Sequence, residues 1–320
     1  MGKLIDGQWS NEWYQASAKG DFIRDETKFR HAVSADGSSG FPAEAGRYHL
    51  YVSLACPWAH RTLIMRQLKA LQSVISVSVA HPHMGEQGWE FADYPGATPD
   101  SVNGAKYLYE IYQRAKSDYT GRVTVPVLWD KQTNTIVNNE SRQILRMLDH
   151  EFDAVANATV DLCPPALRAA IDAEIDALYM PVNNGVYRAG FAVKQAAYEK
   201  AVQELFSALD AYEARLTTQR YLLGAALTEA DICLFTTLLR FDPVYHYHFK
   251  CNLRRIADYP ALSGYVKDIY QTPGVAEVCD LDHIKRHYFT SHPTINPNQI
   301  IPLGPPLDLL GPHQRAALAR

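Results

Sequence analysis

The spacing of hydrophobic and polar positions changes several times along the chain, and each change predicts a new element. The largely apolar run that begins at Arg47 stops at Cys56 and Pro57, and it predicts a strand. Pro57 then opens a segment in which apolar residues recur three and four positions apart, the spacing of a helix with one core-facing stripe. Residues 74–79 alternate in polarity and are rich in β-branched side chains, which predicts a second strand. A strand, a helix and a strand at this spacing predict a βαβ unit.

The segments that follow extend this unit. They predict a helix at residues 107–115, strands at residues 123–129 and 135–137, and a helix that opens at residues 138–141 and runs through residue 148. Pro126 interrupts the first of these strands, which is tolerated only at an edge or a bulge. A cis peptide bond between Val125 and Pro126 would accommodate it. This order of elements is typical of a thioredoxin-like domain.

The pattern changes at residue 153, after which no strand is predicted. Helical periodicity and caps predict helices at residues 165–180, 194–217, 228–241 and 260–270. Thr228 and Asp231 have the spacing of a capping box, which is a folding signal and not a catalytic one. We therefore predict two domains. They are an α/β thioredoxin-like domain with an N-terminal arm over residues 1–155, and an all-α domain with a Pro-rich C-terminal extension over residues 156–320.

Two stretches lack a regular pattern. Residues 1–45 predict an irregular arm laid against the body by its aromatic side chains. These side chains are Trp9, Trp13, Phe22, Phe29 and Phe41. Residues 81–98 predict a long loop, and a loop of that length in a compact domain is usually functional.

Composition narrows the classes of function. The chain has 320 residues, of which 47% are hydrophobic, enough to fill two cores. A net charge of −4 provides no basic field, so we expect neither nucleic acid nor an anionic membrane as a partner. The five cysteines are scattered and odd in number, which argues against a secreted disulfide framework and predicts a cytoplasmic protein. The sequence also predicts no secretory signal and no membrane-spanning segment.

Cys56 lies where the first predicted strand ends and the helix that Pro57 opens begins. A sulfur there is expected to face the free N–H groups and the positive end of the helix, and His60 and Arg61 add positive potential. These features favour a reactive thiolate over the other interpretation, a buried structural cysteine. Ala59 fills the position of the second cysteine in a C-x-x-C motif, so an external thiol such as glutathione is expected to resolve a mixed disulfide.

The chain carries five separated motifs, at residues 53–61 (SLACPWAHR), 88–91 (GWEF), 183–192 (NNGVYRAGFA), 240–246 (RFDPVYH) and 282–288 (DHIKRHY). In this order they resemble the glutathionyl-hydroquinone reductases, also called xi-class glutathione transferases. The resemblance implies the glutathione transferase fold, a homodimer, and glutathione as co-substrate. It also implies that the enzyme removes glutathione reductively from a hydroquinone ring.

The resemblance further implies roles for single residues. Cys56 is implied as the nucleophile that forms a mixed disulfide with glutathione. The residues implied to bind glutathione are Trp89, Arg122, Val125, Glu140 and Ser141, and those implied to line the hydroquinone pocket are Tyr187, Tyr245 and Tyr288. Without the motifs, Glu140 and Ser141 fit an ordinary N-cap pair equally well. The three tyrosines, out of nineteen, would then fit core packing better.

Two other functions stay open at this point. An omega-class thiol transferase, acting on dehydroascorbate or on protein mixed disulfides, shares the Cys-Pro-x-Ala motif. A non-catalytic assembly module shares the fold, although an activated thiolate argues against it. We expect no metal, because pairs such as His81 and His83, or His283 and His287, bring no complete set of ligands.

Overall fold

A computed structural model describes residues 2–12 and 14–318 of the chain, so Trp13 lies outside the described residues. The chain forms two units. The first comprises Met1–Tyr14, Arg24–Val160 and Glu277–Ile301, and the second comprises Gln15–Ile23, Asp161–Ala276 and Pro302–Arg320. The domain boundary between residues 155 and 156 stays a prediction.

The regular elements are distributed unevenly between the two units. The strands are β1 (Lys3–Ile5), β2 (Gln8–Ser10), β3 (Tyr48–Val52), β4 (Ser76–Val79), β5 (Gly121–Arg122), β6 (Val127–Asp130) and β7 (Thr135–Asn138). The helices are α1 (Pro57–Leu68), α2 (Leu108–Ala115), α3 (Ser141–His150), α4 (Arg168–Leu178), α5 (Gly185–Gly190), α6 (Gln195–Leu216), α7 (Glu229–Leu238), α8 (His246–His248), α9 (Pro260–Tyr270) and α10 (Leu281–Ser291). All of these strands, with α1, α2, α3 and α10, lie in the first unit.

A four-stranded sheet in the order β4-β3-β6-β7 forms the centre of the first unit. β3 pairs parallel with β4 and antiparallel with β6, and β6 pairs antiparallel with β7. Every residue of β3 is buried, including His49, as expected for a strand in the interior of a sheet with covered faces. The helices α1 and α3 pack together. This arrangement confirms the predicted thioredoxin-like α/β fold.

The N-terminal arm differs from the prediction. Residues 3–10 form the hairpin β1–β2, and β1 also pairs with β5, so the expectation of irregular structure is wrong for this part of the arm. The hairpin turns at Asp6 and Gly7, whose φ angles are 46° and 76°. Positive φ at both central residues suits the twist of a two-residue hairpin, and Asp-Gly is a common sequence signal for it.

The strand predicted at residues 123–129 begins later, at Val127, and the preceding Val125–Pro126 peptide bond is cis, as expected. Pro126 therefore lies outside β6, where its missing N–H removes no ladder hydrogen bond. The chain bends at Val125, two residues before β6 begins, so the backbone of Val125 lies at the end of this strand. That position matters for the site described below.

The second unit has an all-helical architecture, as predicted. The helices expected from periodicity appear as α4, α6, α7 and α9, while α5, α8 and, in the first unit, α10 were not predicted. Two π-helical turns, Tyr179–Asn183 and Phe241–Tyr245, interrupt this unit, and each contains a proline. Proline has no N–H for the regular helical bond, which explains why the helix widens there. The capping box is confirmed, with the Thr228 N–H donating to the Asp231 carboxylate at 2.8 Å.

None of the described helices combines the length and the apolar character needed to cross a membrane.

Candidate active site

Cys56 is the N-cap residue of α1. Its backbone is extended (φ −77°, ψ 121°), Pro57 follows as the first helical residue, and the Cys56 carbonyl accepts from the His60 N–H at 3.0 Å. The partly exposed side chain does not cap the helix, and its Sγ donates to the Val125 carbonyl oxygen over 3.7 Å. A thiol needs an acceptor, whereas a thiolate needs donors, so this is the contact expected of the protonated sulfur. The predicted nucleophile thus contacts a residue predicted to bind glutathione.

Glu140 and Ser141 lie at the start of α3. Glu140 is the N-cap residue, and its carboxylate accepts from the Arg142 N–H and from the Thr27 hydroxyl, both at 3.3 Å. The buried Ser141 hydroxyl oxygen accepts from Arg61 Nη1 at 3.2 Å. The N-cap interpretation is therefore confirmed for Glu140. The part of either residue in binding glutathione stays a prediction.

Arg122 is held by the N-terminal arm. Its Nε donates to the Asp25 carboxylate at 2.9 Å, and its Nη1 donates to the Glu12 carbonyl oxygen at 2.6 Å. The guanidinium carbon lies 4.1 Å from the centre of the Tyr14 ring, close enough for a cation–π contact. A residue predicted to bind glutathione is thus oriented by segments distant in sequence.

Tyr14 is a neighbour of the site that sequence reasoning missed. Burial raises the pKa of Tyr14, the positive charges of Arg24 and Arg122 oppose the rise, and the negative charges of Asp25 and Cys56 add to it. The hydroxyl therefore keeps its proton and lies within the electrostatic influence of Cys56. No local pattern pointed to this residue, and the only signal was the density of aromatic side chains in the arm.

Trp89 lies in the loop at residues 81–98, where its indole stacks on the His287 imidazole. The ring centroids are 4.7 Å apart and the planes differ by 22°. His287 belongs to α10, and its Nδ1 donates to the Pro82 carbonyl oxygen at 3.0 Å. This pair of contacts fastens the loop to α10. Tyr288, the next residue on that helix, is buried, so the first unit brings Trp89 and the segment with Tyr288 together.

Tyr187 and Tyr245 lie in the second unit, with ring centroids 5.9 Å apart. Each packs on Phe249 at a centroid distance of 5.5 Å, and both tyrosines are buried. Tyr245 ends the π-helical turn Phe241–Tyr245, a kind of irregularity frequently found at functional sites. The aromatic cluster agrees with the packing interpretation as well as with a binding role. The pocket assignment stays a prediction.

Burial distinguishes the five cysteines. Three are buried: Cys163, Cys233 and Cys251. Burial also raises the pKa of Cys251, which keeps it a neutral thiol of low reactivity. Cys56 and Cys279 are partly exposed, and the Sγ of Cys279 lies 3.5 Å from Nε2 of His60.

The fold and the site together define a class. A thioredoxin-like unit with a cysteine at the start of its first helix, in one chain with an all-helical unit, is the organisation of a glutathione transferase. Two family models agree, namely "Glutathione S-transferase, N-terminal domain" over residues 55–151 and "Glutathione S-transferase, C-terminal domain" over residues 195–268.

Individual relatives define the branch. The glutathionyl-hydroquinone reductase YqjG of Escherichia coli is 54% identical, with 98% of each chain covered. The glutathionyl-hydroquinone reductase PcpF of Sphingobium chlorophenolicum is 51% identical, with 97% of this chain and 98% of that protein covered. The solved xi-class transferase of Natrialba magadii matches with a TM-score of 0.95 at 52% identity, covering 100% of this chain and 98% of that one. The glutathione-bound structure of YqjG matches with a TM-score of 0.91 at 53% identity, covering 98% and 99%. This chain therefore belongs to the glutathionyl-hydroquinone reductases, the xi class of glutathione transferases.

Proposed function

We propose that this protein removes glutathione from glutathionylated hydroquinones, using a second glutathione as reductant and Cys56 as the nucleophile. The observation that carries the proposal is the position of Cys56. It is a partly exposed thiol at a helix N-terminus, 3.7 Å from the Val125 carbonyl oxygen. The names of the two relatives YqjG and PcpF, both glutathionyl-hydroquinone reductases, support the same reaction.

The reaction has two steps, and in each a thiolate attacks a sulfur atom. In the first, the Cys56 thiolate attacks the sulfur of the glutathionylated ring, the S–S bond forms, and the C–S bond breaks. The ring carbon leaves with the bonding electron pair and takes a proton, which yields free hydroquinone. In the second, a glutathione thiolate attacks the mixed disulfide, which releases oxidised glutathione and restores the Cys56 thiolate. Two sulfur atoms are oxidised and one ring carbon is reduced, so the electrons balance.

In this proposal glutathione is bound by Trp89, Arg122, Val125, Glu140 and Ser141. The Val125 backbone, beside Cys56, suits the cysteinyl part of the tripeptide. The Glu140 carboxylate suits its α-amino group, and the Ser141 hydroxyl at the start of α3 suits its α-carboxylate, since a helix N-terminus favours an anion. The hydrogen bond that joins Arg61 to Ser141 supports a polar environment at this point.

The hydroquinone is proposed to lie against Tyr187, Tyr245 and Tyr288. A phenol ring stacks on an aromatic substrate, and its O–H can donate to a quinol oxygen or to the charge that develops there. Support for the first two comes from their mutual packing at 5.9 Å, and support for the third from its place beside His287 and Trp89.

The test is a comparison of substrates. Glutathionyl-menadiol with glutathione should be turned over far faster than dehydroascorbate with glutathione. Preferred reduction of dehydroascorbate would instead identify an omega-like thiol transferase. Absence of both activities would favour the assembly module and overturn the proposal.

The intermediate can be located directly. Mass spectrometry after a limiting amount of glutathionyl-menadiol, before glutathione is added, should find one glutathione on Cys56. Cys279 is the internal control because it is also partly exposed. Glutathione on Cys279 or on a buried cysteine, with Cys56 unmodified, would contradict the mechanism.

The proposal also includes a cytoplasmic location, a homodimer, no resident metal, no membrane or nucleic-acid partner, and two domains that meet at residues 155 and 156. A reducing compartment suits five cysteines that form no disulfide. Full activity after treatment with a chelator would test the statement on metal. Limited proteolysis that cuts first near residue 155 would test the domain boundary.

A further inference from the structure

Arg61 is a buried cation in the first unit with few partners. It lies on α1, and only 3% of it is exposed. Its Nη1 donates to Ser141 Oγ at 3.2 Å, while its Nε is buried without a hydrogen-bond partner in the described part of the chain. Its guanidinium carbon lies 5.9 Å from the centre of the Trp58 ring. Among the described residues, no carboxylate forms an ion pair with it.

Arg47, another buried arginine of the same unit, has the ion pair that Arg61 lacks among the described residues. Its Nε and Nη2 donate to the two oxygens of Asp130 at 2.9 and 2.6 Å, a bidentate ion pair. A buried charge without such a partner is strongly unfavourable, because it has lost its hydration and gained nothing in return. The environment of Arg61 is therefore suited to an anion that comes from outside the chain.

The hydrogen bond from Arg61 also determines what Ser141 can do. Because the Ser141 oxygen accepts from Arg61, its own O–H is available to donate to a further acceptor. No acceptor for that O–H occurs among the described residues. Ser141 is the first residue of α3, a helix of ten residues, so the helix N–H groups favour an anion at the same point. A buried cation, a hydroxyl donor and a helix N-terminus thus converge.

We infer that Arg61 is a positioning residue and the counter-charge for the α-carboxylate of the γ-glutamyl group of glutathione. Arg61 donates to Ser141, Ser141 donates to the carboxylate, and the first N–H groups of α3 complete the site. The inference deepens the proposed function and rests on it only in taking glutathione as the ligand. It assigns to Arg61 a task beyond the positive potential near Cys56.

Calorimetry with two ligands tests this role. One ligand is reduced glutathione, and the other is γ-aminobutyryl-cysteinylglycine, which is the same tripeptide without the α-carboxylate. Arg61→Gln should weaken the binding of glutathione roughly 10- to 100-fold, because the carboxylate loses its counter-charge and Ser141 loses its charged donor. The same variant should change the binding of the analogue by less than about twofold, and Arg61→Lys should recover part of the loss because it restores the charge.

A matched control separates this role from support of the fold. Arg66 lies on the same helix and donates from Nε to the Ile75 carbonyl oxygen at 2.7 Å, so Arg66→Gln removes a charge from α1 away from Ser141. It should leave both affinities unchanged. If Arg61→Gln weakens the two ligands equally, Arg61 supports only the structure and the inference is overturned.

Ser141→Ala keeps the test decisive even if the Arg61 variants fold poorly. Ser141→Ala should weaken the binding of glutathione more than the binding of the analogue. Adding Arg61→Gln to this variant should lower the affinity for glutathione by less than about twofold more, because both residues act on one carboxylate. If Ser141→Ala leaves the ratio of the affinities for glutathione and the analogue unchanged, the inference is overturned. Because binding is measured without turnover, a failure of hydroquinone reduction would overturn the proposed function and leave this result intact.

Discussion

Cys56 lies near two kinds of group that favour opposite protonation states of its sulfur, the Val125 carbonyl and the N–H groups that begin α1. The Val125 carbonyl oxygen, 3.7 Å from Sγ, can hold only a thiol, because it needs a donor. The first N–H groups of α1, which the Cys56 side chain does not cap, favour a thiolate, because they donate and lie at the positive end of the helix. Loss of the proton should therefore turn the sulfur from the carbonyl toward the helix. That movement would leave the Val125 carbonyl open to the N–H of a bound peptide.

The first prediction concerns Cys56→Ser. A hydroxyl keeps the donor to Val125 but is not ionised near neutral pH, so reductase turnover should fall by more than about a thousandfold while glutathione still binds. Steady-state kinetics and calorimetry measure the two effects separately. Cys279→Ser is the control and should keep its activity. Full turnover by Cys56→Ser would show that another group carries the reaction.

The second prediction concerns the hydroxyls of the three tyrosines. Phe at Tyr187, Tyr245 or Tyr288 preserves the ring and removes one donor, which at a developing charge is worth on the order of 3 kcal/mol. Turnover of glutathionyl-hydroquinones should therefore fall roughly 100-fold in at least one variant, with the fold retained. The exposed Tyr247 offers a control, since Tyr247→Phe should change nothing. Wild-type kinetics in all three variants would make them packing residues.

At the scale of elements, the β3–β4 pair contains a pH-sensitive contact. His49 on β3 is fully buried, and its two ring nitrogens contact the hydroxyls of Ser76 at 2.7 Å and Ser78 at 3.0 Å. Burial lowers the pKa of His49 from 6.5 to about 4, although the charge of Asp100 opposes this. A lowered pKa means that the unfolded chain binds a proton more readily than the folded protein.

The third prediction is a loss of stability at acidic pH, which follows from the lowered pKa of His49. The contribution of His49 to stability is complete above pH 6.5 and is lost as the pH falls toward 4, with a size of about 3 kcal/mol. Urea unfolding between pH 4 and pH 7.5 measures it. In His49→Gln the free energy of unfolding should fall less steeply over this range. His248, whose pKa burial also lowers to about 4, remains in both proteins, so the difference isolates His49. If the free energy of unfolding depends on pH equally in the wild type and in His49→Gln, the prediction is contradicted.

Elements of different length were predictable to different degrees. α6 and α9 were predicted to within two residues, because their apolar stripes repeat over several turns. α10 was missed although Asp280 caps it, accepting from the His283 N–H at 2.8 Å, because its sequence is largely polar. The strand β1 was missed because part of its pairing is with β5, more than a hundred residues later, and no local pattern reports such a partner.

At the scale of the whole molecule, the site is assembled from segments that no single motif contains. The position of Cys56 could be predicted because Pro57 marks a helix start locally. Its contact with Val125 joins residues 69 positions apart, and the contact of Arg122 with Glu12 spans 110, so neither could be read from spacing. The resemblance implied roles for Val125 and Arg122, and only the structure showed which residues they contact.

The C-terminal tail is fixed to the second unit by polar contacts. Lys267 on α9 forms an ion pair with Asp308 at 2.7 Å, and Gln271 donates to the carbonyl oxygens of Leu309 and Gly311 at 2.9 Å. Arg315 is buried and donates to carbonyl oxygens at residues 216, 219, 220 and 261. These contacts hold the tail in place while several of its apolar side chains face outward.

The last prediction concerns assembly. Leu303 and Leu310 are 102% and 79% exposed, which is unfavourable for apolar side chains unless a second copy covers them. We expect sedimentation at micromolar concentration to give twice the mass of one chain. Leu303→Asp combined with Leu310→Asp should shift the protein to the mass of one chain, because charges at a buried interface lose their hydration. Leu253→Asp changes another exposed leucine, outside the tail, and should leave the dimer intact. A wild-type protein that sediments only as a single chain would contradict the prediction, and a dimer that survives the double substitution would place the interface elsewhere.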